Sequence, residues 1–177
     1  MSQPIAIGVS AIKYGTVGDG VPATELTAFP APYENSVVFN FQDATEVKIP
    51  IEGSTDPLYT FLVKENTDYV EFAFPSPTNA VVAVIAGGTV DVTDGKDIWA
   101  EPTSMPNVSK TIVIETEVID GKKIVYTIVN GKLTAKPSQA PGKKQTELWL
   151  VRVYKQAAIT TAGVKKFAFS REVVTVV

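Results

Sequence analysis

Apolar positions along the chain recur with a period of two, the spacing at which side chains alternate between the two faces of a sheet. Runs rich in Val, Ile, Thr, Phe and Tyr are set apart by Gly, Pro, Asn and Asp. They predict strands over residues 5–12, 36–41, 45–51, 58–64, 69–74, 89–92, 111–119, 123–129, 133–136, 147–154 and 167–176. So many short strands at this spacing suit a two-sheet sandwich or a small barrel. One segment breaks the pattern. Pro77-Thr78-Asn79 supplies a cap, 80–86 is apolar throughout, and Gly87-Gly88 is a stop signal that favours a short helix over a buried strand.

Turn chemistry sharpens the reading between Thr111 and Lys136. Asp120-Gly121 and Asn130-Gly131 each suit the two positive φ angles of a type I′ hairpin turn. Two such turns predict a three-stranded meander. With Ile119 opposite Lys122, Ile112 faces Val129, Ile114 faces Thr127 and Thr116 faces Val125, giving one apolar or β-branched face. The other face sets Glu115 against Tyr126 and Glu117 against Ile124, half apolar and half acidic. A sheet with two such faces packs on its own core on one side, and on the other either meets something else or is partly covered by its own loops. Between residues 37 and 64 the alternation predicts a hairpin with Val47, Ile49 and Ile51 on one side and Glu46 and Lys48 on the other.

Composition narrows the chemistry. The 177 residues suffice for one domain, 45% of them are hydrophobic, and there is neither His nor Cys. Ser-His-Asp triads, Cys nucleophiles, disulfides and zinc sites built from nitrogen and sulfur ligands are therefore excluded, and the expectation is a protein that is not an enzyme and carries no cofactor. A net charge of −3 has the wrong sign for a dedicated nucleic-acid binder or for adhesion to an anionic membrane. The longest apolar run has seven residues, well short of the ~20 of a membrane helix. The opening Met1-Ser2-Gln3-Pro4 has no basic n-region, so no secretory signal is expected.

Four local patterns bear on chemistry. Gly15-Thr16-Val17-Gly18-Asp19-Gly20 lacks the Lys-Ser/Thr pair of a phosphate loop and precedes Pro22 rather than a helix, so it reads as a surface loop. Asp91 to Asp97 approaches a calcium loop, but Gly95 and Pro102 stand where oxygen ligands are needed, and a turn at Asp94-Gly95 explains it more simply. Glu115 and Glu117 share a strand face, yet nothing marks either as the acid of a glycosidase. Trp149 reads as core. Trp99 lies in a loop-like, Pro-flanked stretch where an exposed ring would suit a sugar platform.

The order of short motifs resembles the tail tube proteins of long-tailed bacteriophages, especially those of phages and prophages of Bacteroides-like hosts. The motifs are Ile12-Lys13-Tyr14-Gly15 with Gly18-Asp19-Gly20, then Tyr33-Glu34-Asn35-Ser36-Val37 entering a strand. Ile51-Glu52-Gly53-Ser54 follows, then an apolar stretch closing on Gly87-Gly88-Thr89-Val90, and Glu147-Leu148 late in the chain. The resemblance implies a single mainly β domain over 1–177, a sandwich or small barrel with one short helix, an N-terminal arm (1–35) and a protruding hairpin (37–64). It implies a structural virion protein: six copies close into a ring, rings stack into a hollow tail tube, and DNA passes through without specific binding. The partners it implies are further copies of the chain and other tail proteins such as the tape measure and tail tip, with no membrane. The location is the virion tail, after synthesis in the bacterial cytoplasm. On this reading Asn40, Gln42, Glu46 and Lys48 are lumen candidates, and Ile12, Tyr14, Gly15, Gly18, Asp19, Glu115, Glu117 and Tyr126 are inter-subunit candidates. The alternatives are a carbohydrate-binding or adhesin-like sandwich, or another virion component of related fold such as a tail terminator, hub or head decoration protein.

Overall fold

A computed structural model describes residues 3–176. In chain order its elements are β1 (Ala11–Gly15), β2 (Thr27–Ala28), β3 (Val38–Asn40), β4 (Thr45–Ile49), β5 (Tyr59–Val63), β6 (Tyr69–Pro75), α1 (Asn79–Ala86), β7 (Thr89–Thr93), β8 (Lys96–Ala100), β9 (Val108–Glu115), β10 (Lys122–Gln139), β11 (Leu148–Lys155), β12 (Ala158–Ile159), β13 (Lys165–Lys166) and β14 (Phe169–Thr175). The chain is mainly β with one short helix, as the period-two pattern predicts.

Eight strands form two packed layers joined through β10. Its first half, Lys122–Ile128, lies between β9 and β14, and β1 and β2 continue beyond β9. Its second half pairs with β11, followed by β6 and β3. Side chains from the first layer (Ile12, Ile112, Ile114, Ile128) meet those of the second (Val70, Phe72, Leu133, Val151, Val153) in one buried cluster. Burying a side chain of this size contributes about 1.5–3 kcal/mol. Aromatic rings close the far side of the sandwich, where Phe39 of β3 lies 5.0 Å from Tyr126 of β10, and Phe41 lies 5.0 Å from Phe169 of β14.

The predicted meander is corrected by this arrangement. Asn130-Gly131 is no turn but lies inside the 18-residue β10. Ile128 pairs with Ile112 and Gly131 with Lys110, so Val129 and Asn130 together stand opposite Thr111 as a β-bulge. The extra residue changes the inward set from Ile124 and Ile128 to Leu133 and Ala135, so one strand serves both layers. The bulge is well bonded: the Thr111 hydroxyl donates to the Val129 carbonyl at 2.8 Å, and Val129 N–H donates to Ala168 O at 3.0 Å. Gly131 permits the crossing, because a Cβ there would stand 2.4 Å from Cγ1 of Val153.

The Asp120-Gly121 turn forms with positive φ at both residues, and Ile119 faces Lys122. Beyond it the register differs by one from the predicted one: Glu115 pairs with Val125 and Ile114 with Tyr126. Thr116 N–H bonds Ile124 O, so Glu117 and Val118 share one position opposite Lys123. A second bulge thus exchanges the two faces, and Tyr126 turns inward.

The helix forms where the cap and stop residues place it. The Thr78 hydroxyl accepts from Val81 N–H, Val82 and Ile85 are buried, and Gly87 ends it at φ 73°. Beside it β7 and β8 form a hairpin on an Asp94-Gly95 turn with positive φ at both residues. Trp99 lies on β8 rather than in a loop. Its indole N–H donates to Gly87 O at 2.8 Å and its ring meets Trp149 edge-on at 5.5 Å. The predicted first strand begins late: residues 5–10 are not in a strand, and β1 pairs with both β2 and β9.

Crowding at the bulge predicts that Gly131→Ala lowers unfolding stability by about 1–3 kcal/mol. Val153→Ala removes the atom it meets, so in urea unfolding the double variant is expected to be less destabilised than the two single variants added together.

Candidate functional site

Three hairpins, β4–β5, β7–β8 and β12–β13, lie outside the eight-stranded sheet among the described residues. Strands β4 and β5 form a two-stranded hairpin in which Thr45 pairs with Val63, Glu46 with Leu62, Val47 with Phe61, Lys48 with Thr60 and Ile49 with Tyr59. The alternation puts Val47, Ile49, Tyr59, Phe61 and Val63 on one face. Glu46, Lys48, Thr60 and Leu62 fill the other, where Glu46 and Lys48 form an ion pair at 3.2 Å. Neither face is covered: Tyr59 is 66% exposed, Leu62 69% and Phe61 46%. An isolated two-stranded ribbon is marginal in water, and the apolar face of this one is largely uncovered.

The hairpin is fixed to the body at its root by Asp68, whose carboxylate is nearly inaccessible to solvent. It accepts from Gln42 N–H on the entering side at 3.0 Å, from Lys64 Nζ on the leaving side at 3.0 Å, and from Lys155 Nζ at the end of β11. Asp68 O also accepts from Lys155 N–H at 2.8 Å. Burial works to raise the Asp68 pKa, but the two lysines and the amide outweigh it and bring it from 3.8 to about 2. The Lys155 ammonium also lies 5.2 Å from the centre of the Phe41 ring, adding a cation–π contact at the same junction.

The predicted lumen residues divide at this junction. Glu46 and Lys48 lie on the polar face of the free hairpin. Asn40 ends β3 opposite Tyr69, and Gln42 is held by Asp68, so both belong to the root.

Most of the predicted inter-subunit residues are used inside the subunit. Ile12 is fully buried in the core, and Tyr14 stacks on Phe29 with ring centres 4.2 Å apart. Gly15 is buried where a Cβ would meet Ala23 Cβ at 2.4 Å. Tyr126 packs inward against Phe39 and Phe169. Ile12 and Gly15 are thus buried within the subunit, whereas Tyr14 and Tyr126 are half-buried against rings of their own chain. Glu115 joins three strands through Lys13 of β1 at 2.5 Å and Lys123 of β10 at 2.7 Å. Burial pushes the pKa of Glu115 up, but the two ammonium groups outweigh it and lower it. Asp19 is exposed and latches the β12–β13 hairpin, accepting from Thr161 N–H at 2.5 Å and from its hydroxyl at 2.9 Å. Gly18 and Glu117 remain exposed.

Sequence reasoning missed Asp68, Lys155 and the aromatic closure around Phe169. Their one local signal is the four-residue spacing of Lys64 and Asp68; the third member comes from 87 residues further along the chain. Among the described residues no three Asp or Glu side chains gather into a set that could hold a metal ion.

The accessible surface is 11383 Å² for a 19.0 kDa chain. A compact monomer of that mass exposes about 8,400 Å². The excess, about 3,000 Å², is several times the ~800 Å² that each partner contributes to a standard interface. No protein-family model matches the chain, and no curated protein matches it.

The Asp68 junction generates a pH prediction with a definite sign. Its pKa is lowered in the folded state, so its stabilisation is complete above the ordinary value near 3.8 and is lost as pH falls through about 2. Asp68→Asn is expected to cost about 1–3 kcal/mol at pH 7. Urea midpoints of the parent and the variant should converge as pH falls from 4 to 2; a gap that persists at pH 2 would contradict the assignment.

Proposed function

We propose that the chain is a structural, self-assembling subunit of the bacteriophage tail-tube type. Six copies close into a ring, and rings stack into a hollow conduit through which DNA passes without specific binding. On this reading the protein resides in the virion tail after synthesis in the bacterial cytoplasm, and it meets further copies of itself and the proteins at the two ends of the tube.

The observation that carries this reading is the surplus surface. The chain exposes about 3,000 Å² more than a compact monomer of its mass, and the β4–β5 ribbon exposes Ile49, Tyr59, Phe61, Leu62 and Val63 together. The mating surface of an obligate oligomer resembles a core cut in half, rich in aromatic and aliphatic residues. The β4–β5 hairpin, with Tyr59, Phe61 and Ile49 on one face, has that character. Ring closure also removes free sheet edges, of which β14 presents a seven-residue example flanked only by β10 on one side. The motif order that resembles the tail tube family supports the same conclusion.

The sugar-platform alternative has less support. The Trp99 N–H is already spent on Gly87, and its ring lies edge-on to Trp149 rather than flat and open.

Purified protein at high concentration is expected to form rings with a central hole, or tubes of stacked rings, in negative-stain images, with matching masses by light scattering. Phe61→Glu is expected to abolish assembly while changing the stability of the sandwich by less than about 0.5 kcal/mol, since the hairpin face is exposed in the subunit. A strictly monomeric protein at millimolar concentration, with tail-end partners present, would refute the reading.

A further inference from the structure

The pair Asn130-Gly131 brings a chemistry of its own into β10. Where glycine follows asparagine, its backbone nitrogen is unhindered and can attack the side-chain amide carbon. The chain has six asparagines, followed by Ser36, Phe41, Thr67, Ala80, Val108 and Gly131. Of these followers only Gly131 lacks a Cβ. The fold cannot exchange that glycine, because a Cβ there would stand 2.4 Å from Cγ1 of Val153 and 3.2 Å from Lys110 O. The packing that requires a glycine therefore also leaves its nitrogen the least hindered one next to any asparagine of the chain.

The reaction consumes only water. The Gly131 nitrogen gives its proton to water and bonds to Asn130 Cγ. The Cγ–Nδ2 bond breaks, and Nδ2 leaves as ammonia. A second water opens the resulting succinimide at either carbonyl, giving aspartate or isoaspartate. Nothing is oxidised or reduced.

In the folded bulge each moving part is held. Asn130 O accepts from Gln156 N–H at 2.9 Å, and Asn130 Nδ2 donates to Ala157 O at 3.3 Å. Gly131 pairs with Lys110 of β9 on one side and with Lys155 of β11 on the other. Asn130 O and the Gly131 nitrogen share one rigid peptide plane. Turning that nitrogen towards Cγ therefore gives up the Gln156 bond and disturbs the pairing with both neighbouring strands. Turning the side chain instead gives up the bond to Ala157.

The product fits the same place poorly. Asn130 Oδ1 is buried without a hydrogen-bond partner among the described residues. A carboxylate keeps that oxygen and sets a second acceptor, in place of a donor, against Ala157 O. Isoaspartate also adds a methylene to the main chain at the bulge, beside the close contact with Val153.

We infer that Asn130 is the chain's site of spontaneous deamidation, that the folded β10 bulge keeps it closed, and that the deamidated residue weakens the bulge. Folded copies are spared. Copies that linger with the β10 crossing open lose the side chain that ties β10 to the segment after β11, and the loss is irreversible. The modification thus records time spent unfolded.

Mass spectrometry on the parent protein tests the site and its closure. One sample is kept folded and one is kept in guanidinium chloride, both at the same mildly alkaline pH. The tryptic peptide Ile124–Lys132, in which Asn130 is the one amide side chain, is followed over time. Conversion of amide to acid is expected to be at least about tenfold faster in denaturant, a ratio set by how rarely the crossing opens. Equal rates in the two samples would overturn the closure. No conversion in denaturant, or faster conversion at another asparagine, would overturn the site. Asn130→Asp supplies the product directly. A urea midpoint below the parent's, or a chain that does not fold, is expected; an unchanged midpoint would show that the bulge accepts the acid and would overturn the weakening.

Discussion

The sandwich depends on one extra residue in one strand. Side chains on a strand alternate strictly, so a strand that leaves one layer for another must change which set of positions faces the core. In β10 the change occurs at Val129 and Asn130, opposite the single Thr111. With regular pairing, the positions that follow Ile128 on the inward side would be Asn130, Lys132 and Thr134; the bulge replaces them with Leu133 and Ala135. Thr111 makes the irregularity tolerable: its buried hydroxyl donates to the Val129 carbonyl and accepts from Ala23 N–H, so neither backbone group is orphaned. Gly131 then lets Val153 of β11 approach the backbone closely.

From this frame the molecule divides into a body held by two carboxylate–lysine clusters and a hairpin whose apolar face is uncovered. Glu115 with Lys13 and Lys123 joins three strands of the first layer. Asp68 does a different job, because its partners come from both legs of the hairpin root and from the end of β11. A carboxylate excluded from solvent is stable only while those partners are present. The hairpin's direction is therefore tied to the body even though its faces rest on nothing.

The strands, the helix, the Asp120-Gly121 turn and the Asp94-Gly95 turn were legible because each rests on local chemistry: alternation, a cap hydroxyl, a glycine stop, positive φ. So was the division of the hairpin into a Val47–Ile49 face and a Glu46–Lys48 face. Asn130-Gly131 was not, because the same dipeptide satisfies a two-residue turn and a bulge that needs a small residue beside a neighbouring strand. The difference lies in Val153, 22 positions away. Tyr126 read as an outer residue for a similar reason. A second irregularity at Glu117 and Val118 shifts the register by one and exchanges the faces. Ile12 and Gly15 are buried by β9 and the 23–25 segment, and Tyr14 is half-buried against Phe29, contacts that no local pattern announces.

What the chain determined by itself was its alphabet of elements: a β protein with one helix, without imidazole or thiol, and with one hairpin divided into an apolar and a polar face. These follow from period and composition, which act over a few residues. Which faces are inside, which charges are neutralised and which surface is left over were decided only in three dimensions. Each depends on register, and register is set by bulges whose bonds join residues far apart in the chain.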